Sequence, residues 1–117
     1  MAEAYLKHHW AVRPKLELLP SEYFIRLGFA TFQEDAAGLD LAVSHGLVSN
    51  FMWANDYPHH EGSWPHSAEA IERTMGELDD LSRAKILGLN AAEVFKIPIP
   101  ERYLGYEDAK ATAVNIS

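Results

Sequence analysis

The sequence predicts an α/β protein that contains a parallel βαβ unit. Two short apolar runs, residues 29–32 and 51–54, carry no charge and have strong β character. The stretch between them, residues 34–47, contains Ala and Leu among acidic residues and can form a helix. Strands that are buried on both faces appear as continuous apolar runs, and parallel strands need such a crossover connection. This unit is the one from which α/β barrels are built.

Two helical segments are predicted before the first strand. Residues 2–12 have Leu6 on their buried side, and Pro14 stops this helix because proline disfavours helix in the residue before it. Ser21 is a typical N-cap residue for a second, short helix that ends at Gly28. Both helices are expected to flank the strand pair.

The chain after the second strand is predicted to be largely helical. Four residues are candidates for helix N-caps by side chain and spacing: Ser67, Asp79 or Asp80, and Asn90. Gly88 is expected to end the second of these helices, and Pro98 and Pro100 to end the regular structure. We therefore predict a domain over residues 1–100 and a C-terminal tail over residues 101–117.

Composition and charge exclude several classes of protein. The chain contains no cysteine, so any metal must be held by His, Asp or Glu. No apolar run reaches the ~18 residues that a membrane span needs, and the start lacks a secretory signal pattern, so we expect a cytoplasmic protein without a membrane partner. Residues 31–80 carry ten acidic residues and one basic residue, Arg73. Phosphate binding needs clustered Lys and Arg, so we expect no nucleic-acid partner.

The densest group of polar and aromatic residues, 55–66, directly follows the second predicted strand. Catalytic residues of α/β barrels lie at the carboxyl ends of the strands, so Asp56 is placed to point into a site. A lone aspartate after a strand is more often a turn or cap residue. The position of Asp56 alone does not separate the two roles.

The same segment permits a rival interpretation as a self-contained metal site. Four possible ligands lie close together in sequence: His59, His60, Glu61 and His66. Adjacent histidines in a loop point in different directions, and His59 and His66 lack the i, i+4 spacing of a helical metal pair. The spacing therefore does not distinguish a metal site from solvated side chains.

Several longer blocks of the chain resemble one known family. They are MWANDYPH at 52–59, WPHS at 64–67, KILGLNAAEVF at 85–95 and, upstream, RPKL at 13–16, PSEYF at 20–24 and FQED at 32–35. Over residues 5–97 the chain resembles the amidohydrolase-related family, which includes metal-dependent hydrolases and non-oxidative decarboxylases of carboxylated aromatic substrates. The resemblance implies the C-terminal part of a (β/α)8 TIM barrel, largely helical, with residues 29–32 as strand seven and residues 51–54 as strand eight.

The resemblance also implies a metal centre. In that family the aspartate after strand eight binds or faces a divalent metal, usually zinc, and shuttles protons, and Asp56 matches this position. His59 and Trp64 are expected to contact the substrate or the groups around the metal. The family's other metal ligands, a His-x-His pair and two further histidines, have no counterpart in this sequence.

The function implied by the resemblance is enzymatic and acts on a small molecule. We expect metal-dependent hydrolysis, in which metal-activated water attacks a C–N or C–O bond and Asp56 acts as acid and base. Two alternatives stay open: a metal-dependent decarboxylase of the same fold, and a truncated, non-catalytic interaction module. Catalytic zinc needs three or more protein ligands and one is identifiable, so we expect this chain alone to be inactive. The full-length protein is expected to be a homo-oligomer.

Overall fold

The secondary structure alternates short helices with two short strands. The computed structural model describes residues 2–7 and 15–103 of the chain. In chain order the elements are α1 (Ala2–Lys7), α2 (Pro20–Leu27), β1 (Ala30–Phe32), α3 (Ala36–Ser44), β2 (Phe51–Trp53), α4 (Ser67–Met75), α5 (Asp80–Ala84) and α6 (Asn90–Phe95). Short 3-10 turns cover Val48–Asn50 and Glu101–Tyr103, and a π-helical turn, Lys85–Leu89, joins α5 to α6. Among the described helices, none is long and apolar enough to cross a membrane.

The two strands form a parallel pair, as the sequence predicts. Ala30 lies opposite Phe51, and Phe32 lies opposite Trp53. The backbone N–H of Ala54 donates to the carbonyl oxygen of Phe32 at 2.9 Å, which continues the pairing one residue past β2. Each strand is one residue shorter than predicted, at opposite ends of the two runs. The βαβ unit is therefore confirmed, and its register is defined.

Helix α3 makes the crossover between the strands. Asp35 is its N-cap, and its Oδ1 accepts the N–H of Gly38 at 2.8 Å. The helix ends before Gly46, which has a φ of 69° that side chains other than glycine's rarely adopt. Leu39 and Ala42, which are three residues apart on one face, are buried. The apolar face of α3 thus packs towards the two strands.

The core is a small cluster around three buried side chains from different elements, Leu39, Met75 and Ile86. Phe32 from β1 and Trp53 from β2 pack against this cluster. Burial of apolar surface contributes about 25 cal/mol per Å², and these side chains join the strand pair to α3, α4 and the π-helical turn. Trp53 is therefore part of the core.

Two buried asparagines hold the beginning of β2. The Nδ2 group of Asn50 donates to the carbonyl oxygens of Phe24, Ile25 and Gly28 at 3.2, 2.9 and 2.9 Å. The Nδ2 group of Asn90 donates to the carbonyl oxygens of Val48 and Phe51, both at 2.8 Å. The amide of Asn50 therefore joins β2 to the end of α2, and the amide of Asn90 joins it to the start of α6.

The predicted role of Asn90 as a helix cap is wrong, and so is the predicted helix end at Gly88. The helix continues through Lys85–Leu89 as a π-helical turn and into α6 without a break. Asn90 is buried inside this continuous helix, where its side chain donates to the entrance of β2 instead of capping. Gly88 tolerates the helical backbone, and the helix ends at Lys96, whose φ is 56°.

The other predicted helix starts have mixed outcomes. Asp79 is confirmed as an N-cap: its Oδ1 accepts the N–H of Ser82 at 2.9 Å. Hydrogen bonds from Ser82, from its side chain first and then its backbone, lower the pKa of the Asp79 carboxyl. Ser21 is not a cap, because α2 begins one residue earlier at Pro20. Ser67 is the first residue of α4, and its hydroxyl lies 3.1 Å from that of Ser63 instead of capping.

The contribution of the Asn90 amide to stability can be tested with Asn90→Asp. This change keeps the side-chain shape but replaces the donor Nδ2 with a carboxylate oxygen that faces two carbonyl oxygens. We expect the free energy of unfolding in urea, measured by circular dichroism, to fall by about 1–3 kcal/mol.

Asn55→Asp is the matched control for that experiment. The Oδ1 of Asn55 accepts the N–H of Tyr57 at 3.1 Å, and an aspartate keeps this acceptor. We expect a change of less than about 0.5 kcal/mol there. Equal losses in the two variants would contradict the role given to the Asn90 donor.

Candidate functional site

Asp56 lies in the loop that leaves the carboxyl end of β2. Its φ is 55°, a left-handed conformation that aspartate and asparagine adopt more readily than most residues. The loop folds back at this point, because the N–H of Ser63 donates to the carbonyl oxygen of Asn55 at 3.0 Å. A side chain on Gly62 would put its Cβ 2.6 Å from that same oxygen, so the close return of the loop needs glycine there.

Two side chains contact the Asp56 carboxylate, and both use the same oxygen. Nε2 of Gln33 donates to Oδ2 at 3.2 Å, and Nδ1 of His59 lies 3.4 Å from Oδ2. Among residues 2–7 and 15–103, no hydrogen bond to Oδ1 is present. The Asp56 side chain is 46% exposed. Within these ranges the protein therefore holds one carboxylate oxygen and makes no hydrogen bond to the other.

No local sequence pattern marks Gln33 as a site residue. It is the first residue after β1, and the parallel register puts the end of β1 beside the end of β2. Side chains that follow neighbouring parallel strands meet at one edge of the sheet. That rule, applied to the FQED block, identifies Gln33 as a neighbour of Asp56.

His59 lies beside Asp56 in the loop. Its backbone N–H donates to the carbonyl oxygen of Asp56 at 2.8 Å, which closes a turn. The His59 side chain is 74% exposed. An exposed pair of this kind contributes at most about 1 kcal/mol, so the geometry places His59 at the carboxylate without fixing it there. A role in contacting substrate stays a prediction.

Trp64 packs against Tyr57 across the same loop. Their ring centroids are 6.0 Å apart with an interplanar angle of 80°, an edge-to-face arrangement. Tyr57 is 66% exposed and Trp64 is 62% exposed, so both rings present surface to solvent near Asp56. The exposed ring of Trp64 is accessible to a substrate. The predicted contact between them stays a prediction.

The segment between β1 and α3 is tied to α4 by an ion pair. Arg73 Nη2 donates to both carboxylate oxygens of Glu34, at 3.0 and 2.8 Å, and Arg73 Nε donates to one of them at 3.2 Å. This two-point geometry is more specific than a single contact. The two side chains are exposed, at 62% for Arg73 and 41% for Glu34, so the pair contributes little to stability.

The described residues do not form a metal site by themselves. His60 pairs with Glu61 at 3.7 Å and His66 with Glu69 at 4.0 Å, both on the surface. Within the described ranges, no group of three or more His, Asp or Glu side chains could hold a metal ion. The rival interpretation, a self-contained site of His59, His60, Glu61 and His66, thus has no geometric support. Asp56 has the chemistry of one ligand from a larger set.

A cleft of about 390 Å³ lies at the opposite end of the strands. It is lined by residues that precede the strands, Phe29 and Ser49 among them, and by the cations Arg26, Lys85 and Lys96. In α/β barrels the entry ends of the strands are associated with stability and the carboxyl ends with catalysis. The exposed edge that carries Asp56 is therefore the better candidate for a reaction site.

Known proteins share both the sequence pattern and the fold. The family described as Amidohydrolase matches residues 2–97. The crystal structure of 5-carboxyvanillate decarboxylase LigW from Sphingomonas paucimobilis matches with a TM-score of 0.64 and 32% identity. This match covers 76% of this chain and 26% of the LigW chain, so the chain spans about a quarter of that enzyme. None of the curated proteins matches.

Both matches agree with the fold that the sequence predicts. They imply a TIM barrel, of which the described residues provide a two-stranded parallel sheet and its surrounding helices. The family match extends over more than three quarters of the chain, including the strands and the Asp56 loop. The chain belongs to the amidohydrolase family.

Proposed function

We propose that β1 and β2 act as strands seven and eight of a metal-dependent amidohydrolase-type barrel and that Asp56 is its acid and base. The observation that supports this proposal is the position of Asp56 at the carboxyl end of β2, where none of the described residues hydrogen-bonds to its Oδ1. A carboxylate with a free oxygen at this edge can accept a proton from one group and return it to another.

The metal of such a site would be held by Asp56 together with ligands from outside the described residues. A divalent ion, zinc by family resemblance, supplies Lewis acidity and lowers the pKa of bound water. The part of Asp56 is to hold the proton that leaves the nucleophile or joins the product. Gln33 and His59 would keep the carboxylate in place while it does so.

Two reactions fit this role of Asp56. In hydrolysis of a C–N or C–O bond, Asp56 accepts a proton from the attacking water and returns it to the leaving group. In decarboxylation, Asp56 transfers to the substrate the proton that replaces carbon dioxide. The family description supports the first reaction and the likeness to 5-carboxyvanillate decarboxylase supports the second, so neither is favoured.

A small-molecule substrate and a homo-oligomeric full-length protein complete this proposal. A non-catalytic interaction module is the other class of function. It is favoured by large apolar side chains that the described surface leaves exposed, Leu27 at 70% and Phe95 at 66% among them. Neighbouring parts of a barrel would cover the same side chains.

Metal binding by the 117-residue chain tests whether its ligand set is incomplete. Asp56 is the single ligand expected of the chain, and one carboxylate does not hold zinc tightly. We expect isothermal titration calorimetry to detect weak zinc binding or none, unchanged in a His59→Ala, His66→Ala double variant. A tight one-to-one complex that this variant loses would contradict the assignment and revive the self-contained site.

The role of Asp56 can be tested in a chimaera of 5-carboxyvanillate decarboxylase whose matching quarter is replaced by this chain. Asp56→Asn keeps the shape of the side chain and tolerates the left-handed backbone, but it removes the base. Because acid–base catalysis contributes about 10²- to 10⁴-fold, we expect kcat for decarboxylation of 5-carboxyvanillate to fall by at least about 100-fold.

Asp40→Asn is the control, since Asp40 is an exposed aspartate on α3, away from the Asp56 loop. It should leave kcat within about twofold of the parent chimaera, as expected of a surface substitution. An inactive parent chimaera, or an active one that is insensitive to Asp56→Asn, would contradict the proposed function.

A further inference from the structure

The side chain of Gln33 makes the contact with Asp56 that is best placed to orient it. We propose that Gln33 is a positioning residue, which holds Oδ2 of Asp56 so that Oδ1 faces the ligand. This inference rests on the proposed function, because it specifies how the Asp56 carboxylate of that site is oriented. Gln33 touches the carboxylate and no reacting atom, so its action is through Asp56.

Among the described residues, His59 is the other side chain that could orient Asp56. No Lys or Arg within residues 2–7 and 15–103 pairs with Asp56, so its orientation depends on Gln33 and His59. The His59 side chain is 74% exposed, whereas Gln33 is half-buried. A more buried side chain samples fewer rotamers, and Gln33 is therefore the more constrained of the two partners.

The pairing of the two strands fixes the backbone next to Gln33. The carbonyl oxygen of the preceding Phe32 accepts the N–H of Ala54 in the strand pairing. Because Ala54 is two residues before Asp56, the amide and the carboxylate are carried by the same pair of strands.

The uncharged amide of Gln33 is chemically suited to orienting a carboxylate. An amide donates a hydrogen bond without carrying charge, so it orients a carboxylate without neutralising it. A lysine or arginine at this place would also fix Asp56 but would compete with a metal ion for its charge. A neutral donor on one oxygen is the partner that suits a carboxylate whose other oxygen is to bind a ligand.

Nuclear magnetic resonance of the 117-residue chain tests the contact directly. Gln33 is the only glutamine in the sequence, so selective ¹⁵N-glutamine labelling gives a single side-chain amide pair. We expect one amide proton to lie downfield of its position in a free glutamine, as a hydrogen bond to a carboxylate requires. Asp56→Gly, which accepts a φ of 55°, should return it to the free position.

Glu34→Gln is the control, because it changes a neighbouring side chain without putting a flexible glycine in the backbone. It removes the neighbouring carboxylate, which binds Arg73 and not Gln33. It also adds a second glutamine, whose resonances are identified by comparison with the parent spectrum. We expect the Gln33 pair to keep its position. A parent spectrum at the free position, or equal shifts in Glu34→Gln and Asp56→Gly, would overturn the proposal.

The effect of Gln33 on turnover is measured with Gln33→Leu and Gln33→Glu in the decarboxylase chimaera. Both keep the size of the side chain and remove the donor, so we expect kcat to fall by roughly 10- to 100-fold with KM nearly unchanged. If kcat is unchanged in both variants but falls strongly in Asp56→Asn, the role of Gln33 is overturned and the role of Asp56 stands. Loss of the proposed function itself would appear as insensitivity to Asp56→Asn, whatever the amide spectrum.

Discussion

The parallel pairing of β1 and β2 is the constraint on which the rest of the structure depends. Its register sets Phe32 opposite Trp53, and the N–H of Ala54 extends it to the last residues before the Asp56 loop. A shift of one residue would exchange the side chains that face the core with those that face away. It would also separate Gln33 from Asp56. Core packing and the geometry of the site are therefore set by the same hydrogen bonds.

The two ends of the strand pair have different chemistry. At the entry end, the buried amides of Asn50 and Asn90 donate to backbone carbonyl oxygens of neighbouring segments. At the carboxyl end, the carboxylate of Asp56 is half-exposed, and no side chain in the described part of the chain hydrogen-bonds to its Oδ1. Satisfied buried groups give rigidity, whereas an incompletely paired polar group is available for a ligand. This division follows the general plan of α/β barrels, with stability at one end and reaction chemistry at the other.

Much of this arrangement can be predicted from the sequence, and the failures have physical reasons. Uniform apolar runs predict the strand pair and the family blocks predict the position of Asp56, because both signals are local. Gln33 was missed because its role depends on a residue 23 positions away, which only the register brings close. The spacing of Asn90 to Glu93 fits a capping box and so predicts a cap, whereas the buried amide of Asn90 donates to β2. Long-range hydrogen bonds of polar side chains leave no periodic pattern in a sequence.

The most direct test of this account is a measurement of the strand register in solution. Scalar coupling through a hydrogen bond joins the ¹⁵N nucleus of the donor to the carbonyl ¹³C nucleus of the acceptor, so each coupling identifies one backbone pair. We predict a coupling between the Ala54 nitrogen and the Phe32 carbonyl carbon of the 117-residue chain, as their 2.9 Å separation of N and O requires. A coupling from Ala54 to a different carbonyl, or amide exchange at Ala54 as fast as in an unfolded peptide, would contradict the register and with it the site built on it.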